Sequence, residues 1–155
     1  MVKGYQEGPM PFAATLKHFL GYSTPWSGKD RTPAYIPERQ LREIFLPPFQ
    51  KSVDAGALSV MINSGEINGI PTHINKFILT DLLRSEMGFE GVAVTDWEDI
   101  KYLFSRHKVA ENYKDAIKLA IDAGVDMSMV PNNPEYKTYC KLLIELVNEG
   151  RLIWL

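Results

Sequence analysis

Asp96 occupies the position in this chain that is best suited to chemistry. The run Gly91–Thr95 is short and apolar, as a buried parallel strand would be, and it stops at Asp96, which Trp97 follows. Ligands and reactive groups collect at the carboxyl ends of strands in α/β proteins. Asp96 could therefore attack or stabilise an electron-poor carbon, and Trp97 could offer an apolar platform to a sugar ring. Asp is also a favoured residue at the start of a helix, so this segment alone leaves a helix cap equally open.

A second pair of chemically useful residues, Lys17 and His18, ends the strand-like run Ala14–Phe19. Successive residues of a regular strand point to opposite faces. Both side chains can reach one site only if the backbone departs from a regular strand, so we predict a strained or non-proline cis peptide there. Taken alone, His18 fits a hydrogen-bonded core histidine as well.

Other polar and sulfur-containing residues follow predicted strands but carry weaker signals. Met61 and Met129 lie near the ends of the predicted strands Leu58–Asn63 and Val125–Val130, where each could contact a ligand, although Met more often fills a core. Several residues after the first of these strands could line a pocket, although Asn68 and Gly69 also fit a tight turn. These are Asn63, Ser64, Glu66 and Asn68. Asp30 and Arg31 fit a solvated surface pair, and the sequence assigns His73 and His107 no role.

The composition excludes several classes of protein. The chain has 155 residues, 45% of them apolar, and a net charge of −2, which fits one globular domain and gives no support for nucleic-acid binding. No apolar run approaches the roughly 20 residues of a membrane span, and the segment 1–7 lacks a signal-peptide core. Cys140 is the single cysteine, so no internal disulfide is expected. No cluster has metal-ligand spacing and no glycine-rich phosphate loop occurs, so we predict neither metal nor cofactor.

Four predicted strands alternate with helical patterns along the chain. The strands are Ala14–Phe19, Leu58–Asn63, Val92–Asp96 and Val125–Val130, and the helices are Pro37–Phe45, Phe49–Ala55, Lys76–Glu86, Glu111–Ala123 and Glu135–Asn148. Pro47 and Pro48 are expected to interrupt the first helical region. Gly56, Gly88 and Gly124 each follow a helix and precede a strand, as helix-stop glycines do. This alternation predicts an α/β fold with a parallel sheet and helices outside it.

Counting the units indicates a partial barrel. A complete (β/α)8 TIM barrel takes about 250 residues, roughly 31 per unit, so this chain has room for about four parallel βα units. Four units leave two open strand edges, and open edges invite pairing with another chain. We expect a truncated piece of a longer enzyme, with self-association through the edges as the alternative.

Three motifs carry a resemblance to a known family. They are the Lys-His-Phe strand end at Lys17–Phe19, the Asn-Gly-x-Pro loop at Asn68–Pro71, and the segment Gly88–Trp97, which contains Thr-Asp-Trp. In this order and at these separations they closely resemble the β-glucosidase branch of glycoside hydrolase family 3, from about Phe12 to about Arg151. The resemblance implies that residues 1–155 form part of that family's N-terminal TIM-barrel domain.

The resemblance also implies a reaction and roles for single residues. Retaining glycosidases use two carboxyl groups about 5–5.5 Å apart, one as nucleophile and one as acid/base. By its match to the motif, Asp96 takes the place of the nucleophile, Lys17 and His18 hydrogen-bond the sugar hydroxyls, and Trp97 packs beside the sugar. The substrate would be a β-glucoside or β-gluco-oligosaccharide, hydrolysed with retention and without a cofactor. The parent enzyme would be periplasmic or secreted.

Two departures from the family's pattern keep an alternative open. The family's acid/base residue usually comes from a second α/β domain, which this sequence lacks, and segments ahead of the Lys-His strand are also missing. Nothing in the sequence places Glu66 or Glu98 opposite Asp96 as a substitute. The alternative is therefore an inactive half-barrel that only binds carbohydrate or serves as an assembling scaffold. The family's N-acetylglucosaminidases are set aside, because the loop after Leu20 lacks their Pro-Gly-His pattern.

Overall fold

Three short parallel strands form the sheet on which the rest of the chain is built. The computed structural model describes residues 1–131 and 134–153. The strands are β1 (Thr15–Phe19), β2 (Ser59–Ile62), β3 (Glu66–Ile67), β4 (Ile70–Pro71) and β5 (Val92–Val94). The α-helices are α1 (Val2–Gln6), α2 (Glu38–Gln40), α3 (Leu46–Asp54), α4 (Asp99–Ser105), α5 (Tyr113–Ala123) and α6 (Glu135–Asn148). Two segments are π-helical, Leu41–Phe45 and Phe77–Glu86, and one short segment, Thr72–Ile74, is a 3-10 helix.

The sheet has the order β1-β2-β5, with both neighbouring pairs parallel. Val60 and Ala93 pair across β2 and β5 and are fully buried, whereas the next pair, Met61 and Val94, lies on the opposite face of the sheet. β3 and β4 form a separate small antiparallel hairpin. The sheet therefore confirms the first three predicted strands, each shorter than predicted, and the parallel α/β class.

The buried faces of the helices complete the core. The π-helical segment Phe77–Glu86 and the helices α5 and α6 place aliphatic side chains in the same cluster as the buried strand residues. These side chains are Ile78, Leu79, Leu82, Leu83, Ile117 and Leu146. Burying each such side chain stabilises the fold by about 1.5–3 kcal/mol. Gly124 ends α5 in the left-handed conformation at φ 111°, which an L side chain rarely adopts, so the predicted helix stop is confirmed there.

The two consecutive prolines do not interrupt the helical region as predicted. α3 begins at Leu46, so Pro47 and Pro48 lie in its first turn, directly after the π-helical turn Leu41–Phe45. The first backbone N–H groups of a helix have no partner within it, and proline, which lacks this group, costs nothing there. The prediction of a break was therefore wrong.

The fourth predicted strand, Val125–Val130, is also wrong as a regular strand. It contributes one isolated parallel bridge, between Val94 and Met127. The Thr95 hydroxyl accepts a hydrogen bond from the Met129 backbone N–H at 2.8 Å, where a ladder would use a backbone carbonyl. The segment runs beside β5 without extending the sheet as a strand, so the count of four units is not confirmed. The barrel is not closed, and the fold stands as a parallel sheet with helices.

The end of β1 departs from regular geometry. Its register against β2 shifts by one residue, because Leu16 pairs with Val60 whereas Phe19 pairs with Ile62. The peptide bond between Lys17 and His18 is cis, as the sequence argument predicted, and the bond between Phe19 and Leu20 is also cis. Within the described residues no helix is both long and apolar enough to cross a membrane.

Candidate active site

Asp96 lies just beyond the carboxyl end of β5, which ends at Val94. Its Oδ1 accepts a hydrogen bond from its neighbour Trp97, whose backbone N–H lies at 2.6 Å, and another from Arg31 Nη2 at 3.2 Å. Its Oδ2 lies 3.5 Å from His18 Nε2. α4 starts at Asp99 with Glu98 before it, so Asp96 does not cap that helix. The helix-cap alternative is therefore wrong.

The surroundings of Asp96 keep its carboxylate ionised. Its side chain is 15% exposed, and burial alone would raise its pKa. The hydrogen bond from the Trp97 N–H, the nearby Ser64 hydroxyl, and the positive charges of Arg31 and of His18 when protonated outweigh burial and hold the pKa of Asp96 below its ordinary value. An ionised carboxylate at neutral pH is what a nucleophile requires.

His18 lies beside this carboxylate, whereas Lys17, its neighbour in the chain, forms no ion pair with Asp96. His18 is partly buried, and its ring lies 4.3 Å from that of Tyr22. Burial, followed by the charge of Lys17, lowers the pKa of His18, so its imidazole is neutral at pH 7. Lys17 is exposed, and no carboxylate in the described part of the chain lies within ion-pair distance of it. Its ammonium group can therefore take a ligand's hydroxyls as partners.

Arg31 is not the solvated surface residue that the sequence suggested. Its Nη2 reaches Asp96, and its Nη1 lies 3.0 Å from Asp99 Oδ1. Its own backbone carbonyl accepts a hydrogen bond from Arg106 Nη2 at 2.6 Å. Asp30, the residue before it, accepts a hydrogen bond from the Tyr22 hydroxyl instead of pairing with Arg31. The long loop after β1 thus delivers a cation to the carboxyl end of β5.

Asp99 is the functional candidate that the sequence analysis missed. Its side chain is 3% exposed, and Ser64 Oγ donates to its Oδ2 at 2.6 Å. Burial raises its pKa to about 7, against the opposing effects of Ser64 and Arg31. Asp99 shares a helical face with the buried Leu103, and a carboxylate on the apolar face of a helix is the signal that could have identified it.

His73 completes this buried group. It is 2% exposed, and its Nε2 lies 3.6 Å from Asp99 Oδ2 and has no hydrogen-bond partner among the described residues. Burial lowers its pKa to about 3, so the ring is neutral under physiological conditions. His107, the other histidine left without a role, pairs with Glu66 at 2.7 Å between Nδ1 and Oε1.

The other predicted site residues, Trp97, Met61 and Met129, show no side-chain contact with Asp96 among the hydrogen bonds and ion pairs of the described residues. The Trp97 side chain is 46% exposed and its backbone carbonyl accepts from Arg31 Nη1. Met61 pairs with Val94 in the sheet and is partly buried. Met129 contributes backbone atoms, since its carbonyl accepts from the Glu98 N–H. The structure brings His18 and Arg31 to Asp96, while roles for Trp97, Met61 and Met129 stay predictions.

Two of the cavities that border β1 lie at opposite ends of the strand. One of about 520 Å³ lies at the amino end of the strand among apolar residues such as Tyr5 and Phe12, away from Asp96. The other, of about 160 Å³, is lined by Lys17, His18 and Tyr22. The smaller cavity therefore adjoins the candidate site, and the larger one does not. The described residues contain no group of His, Cys, Asp and Glu placed to hold a metal ion.

Comparison with known proteins identifies the relatives of this chain. Residues 1–153 match the family described as glycosyl hydrolase family 3 N terminal domain. The chain is 48% identical over 159 residues to the lysosomal beta glucosidase of Dictyostelium discoideum, in an alignment that covers 96% of this chain and 19% of that protein. It is 36% identical over 138 residues to the periplasmic beta-glucosidase of Salmonella typhimurium, covering 89% of this chain and 17% of that protein.

Solved structures give the same answer. A β-glucosidase from Erythrobacter marinus superposes with a TM-score of 0.89 at 35% identity, covering 97% of this chain and 20% of that one. A β-glucosidase from Listeria innocua in complex with glucose gives 0.87 at 33% identity, with 98% and 21% covered. The chain thus spans about a fifth of the length of the relatives it matches. By the family match and these identities, which confirm the resemblance seen in the sequence, the chain belongs to the glycosyl hydrolase family 3 N-terminal domain family.

Proposed function

We propose that this chain carries the nucleophile side of a retaining β-glucosidase active site, with Asp96 as the nucleophile that attacks a terminal β-D-glucosyl residue. The observation that carries the proposal is an ionised carboxylate at the carboxyl end of β5, 3.5 Å from a neutral His18, in a chain of this family. A carboxylate kept charged at neutral pH is ready to attack an electron-poor anomeric carbon.

The proposed reaction has two steps. An Asp96 oxygen forms a bond to the anomeric carbon while the glycosidic C–O bond breaks and its electron pair leaves with the aglycone oxygen. Water, losing a proton, then displaces the carboxylate from the same carbon and releases glucose with retained configuration. The leaving oxygen of a natural substrate needs a proton, which typically contributes 10²–10⁴-fold to the rate. We propose that a carboxyl group outside this chain supplies it, as the family resemblance implies.

Lys17, His18 and Trp97 are proposed to hold the sugar. Lys17 and the neutral imidazole of His18 can hydrogen-bond its hydroxyls, and the half-exposed indole of Trp97 can lie against its apolar ring face. Met61 and Met129 would contribute apolar contacts at the edge of the site. Glucosyl substrates are supported by the Listeria innocua β-glucosidase, whose structures include complexes with glucose and with laminaribiose. Two relatives from Formosa agariphila are named β-xylosidases, which makes a xylosyl residue the competing substrate.

A second candidate function is a sugar-binding scaffold without hydrolysis. It is favoured by the placement of the two Glu residues considered as acid/base, because Glu66 is committed to His107 and Glu98 precedes α4 beside Lys101. Self-association through the open strand edges belongs to this alternative. The related proteins named periplasmic and lysosomal support our further proposal that the parent enzyme acts outside the cytosol.

The test is the intact mass of the chain after incubation with a dinitrophenyl 2-deoxy-2-fluoro-β-glucoside. This substrate has so good a leaving group that it needs little help from an acid, so the expected result is one sugar per chain, mapped to Asp96. Asp96→Asn should reduce the adduct to background, while Asp122→Asn, which alters an exposed helix carboxylate paired with Lys118, should keep it. An unmodified mass from protein shown to be folded by circular dichroism would leave the scaffold function instead. The matching xyloside distinguishes the two sugars.

A further inference from the structure

Arg31 bridges two carboxylates that are three residues apart in the chain. Nη2 lies 3.2 Å from Asp96 Oδ1 and Nη1 lies 3.0 Å from Asp99 Oδ1. Nη1 also donates to the Trp97 carbonyl at 3.2 Å, so the guanidinium contacts both ends of the turn that follows β5. A planar guanidinium presents its donors in a fixed fork, so two such contacts set its orientation as well as its position.

The position of Arg31 is fixed from behind as well. Asp99 is buried and is itself held by Ser64 Oγ at 2.6 Å. Arg31 has a positive φ of 56°, and its backbone carbonyl accepts from Arg106 Nη2 at 2.6 Å. The charged or titratable groups that face Asp99 are Arg31, Arg106, Asp96 and His73. Both the backbone and the side chain of Arg31 are thus held by hydrogen bonds and ion pairs.

The two oxygens of Asp96 are consequently unlike. Oδ1 accepts from the Trp97 N–H at 2.6 Å and from Arg31 Nη2 at 3.2 Å. Within the described residues, the ion-pair partner of Oδ2 is His18 Nε2, at 3.5 Å, a distance at the limit of a hydrogen bond. The Ser64 hydroxyl also lies near the Asp96 carboxylate, but it donates its proton to Asp99 Oδ2 at 2.6 Å. An oxygen whose lone pairs are engaged by two donors is the poorer nucleophile, so the free electron density of this carboxylate is on Oδ2.

We propose that Arg31 and Asp99 are positioning residues for Asp96: Arg31 engages Oδ1 and leaves Oδ2 as the attacking oxygen, and Asp99 holds Arg31 in place. This inference rests on the proposed function of Asp96 as nucleophile. When Oδ2 bonds to the anomeric carbon and the aglycone leaves with the electron pair, Oδ1 becomes the carbonyl oxygen of the ester. Arg31 and the Trp97 N–H remain bound to it, and they stabilise the carboxylate again when water displaces it.

Two measurements on the full chain test the inference, one of them independent of any reaction. The first is the pKa of Asp96, followed by carboxyl ¹³C NMR and assigned by the signal lost in Asp96→Asn. Arg31→Gln should raise this pKa, Arg31→Lys should restore part of the shift because the charge returns without the fork, and Asp99→Asn should raise it less. Arg39→Gln is the matched control, since Arg39 forms an exposed pair with Glu43 and should leave the pKa unchanged.

The second measurement is the rate of adduct formation with the fluoroglucoside as a function of pH. Arg31→Gln should slow labelling by about 10-fold to 100-fold and move the acid limb of the profile to higher pH, with glucose affinity changed much less. Asp99→Asn should give a smaller loss in the same direction. A merely structural role would lower the folded fraction without moving the acid limb.

The outcomes separate the inference from the function on which it rests. If wild type forms no adduct but Arg31→Gln still raises the pKa of Asp96, the nucleophile role fails, and with it the assignment of Oδ2 as the attacking oxygen. If wild type is labelled and folded Arg31→Gln shows the wild-type pKa and rate, the inference is overturned. Should Asp99→Asn fail to fold, the Arg31 pair of variants, compared with Arg39→Gln, decides the question.

Discussion

The candidate site holds two aspartates whose pKa values shift in opposite directions: Asp96 at its exposed edge, which we call the mouth, and Asp99 in a buried layer beneath it. At the mouth, Asp96 is partly exposed beside His18 and its pKa is lowered. In the buried layer, which we define as Asp99, Ser64 and His73, burial raises the pKa of Asp99 to about 7. Both carboxylates share Arg31, so the cation alone does not decide their charge. The balance between burial and the number of donors decides it, and the comparison separates a group suited to react from one suited to hold.

The largest expected difference between the two layers is in stability. At pH 5, where its raised pKa keeps Asp99 protonated in the folded chain, Asp99→Ala should lower the free energy of unfolding by about 2–4 kcal/mol, because it leaves the buried Ser64 hydroxyl and one side of Arg31 without their partner. Asp96→Ala should change it by less than about 1 kcal/mol, since its neighbours can turn to water. Urea unfolding followed by far-UV circular dichroism measures both. Equal losses would mean that the two layers are one structural unit.

Asp96 and the Lys17-His18 pair could be predicted from the sequence because their signals are local. Each follows a short apolar run, and a strand end is visible in one dimension. The buried layer and its contact with Arg31 could not be predicted in this way, since Arg31, Ser64, His73 and Asp99 come from four separate segments and meet only after packing. The prediction that Arg31 is a solvated surface residue was wrong for the same reason, because its partners Asp96 and Asp99 are distant from it in the sequence.

The predictions of the fold also succeeded where the signal is local and failed where it depends on other parts of the chain. Periodicity alone predicted α6 with the bounds that the structure shows, Glu135–Asn148, because a helix makes its hydrogen bonds within itself. The predicted strand Val125–Val130 lies beside β5 but forms a single bridge, between Met127 and Val94, because the Met129 N–H donates to the Thr95 hydroxyl instead of to a backbone carbonyl. The predicted break at Pro47 and Pro48 was wrong because the cost of a proline depends on its position in the helix, and the sequence does not fix where α3 begins.

The next effect in size is the pH dependence of stability within the buried layer. The pKa of Asp99 is raised to about 7, so the folded chain holds a proton that the unfolded chain loses near pH 4, and this group destabilises the fold as pH rises from about 4 to 7. The pKa of His73 is lowered to about 3, so this group stabilises the fold as pH rises from about 3 to 6.5. Each slope is about 1.4 kcal/mol per pH unit, and the two oppose each other between about pH 4 and 6.5.

Comparing each variant with wild type should isolate the slope of the residue that the variant lacks. The difference in unfolding free energy between wild type and His73→Gln should rise with pH over the lower window, and the difference between wild type and Asp99→Asn should fall with pH over the upper one. Urea unfolding at half-unit pH steps measures both differences, and groups elsewhere in the chain cancel in them. Two flat differences would show that the buried layer does not titrate in this range, and the contrast with Asp96 would then lose its electrostatic basis.

The smallest expected effect is at the outer edge of the mouth. Trp97→Ala should change the free energy of unfolding by less than about 0.5 kcal/mol, because nearly half of the side chain is already exposed, at 46%. It should still weaken glucose binding by about threefold to tenfold, measured by isothermal titration calorimetry, since a stacked aromatic contact is worth about 0.5–1.5 kcal/mol. Trp26→Ala is the matched control, because Trp26 is 82% exposed and packs edge-on against Tyr35. If both variants weakened binding equally, the loss would reflect general surface change, and Trp97 would have no place in the sugar site.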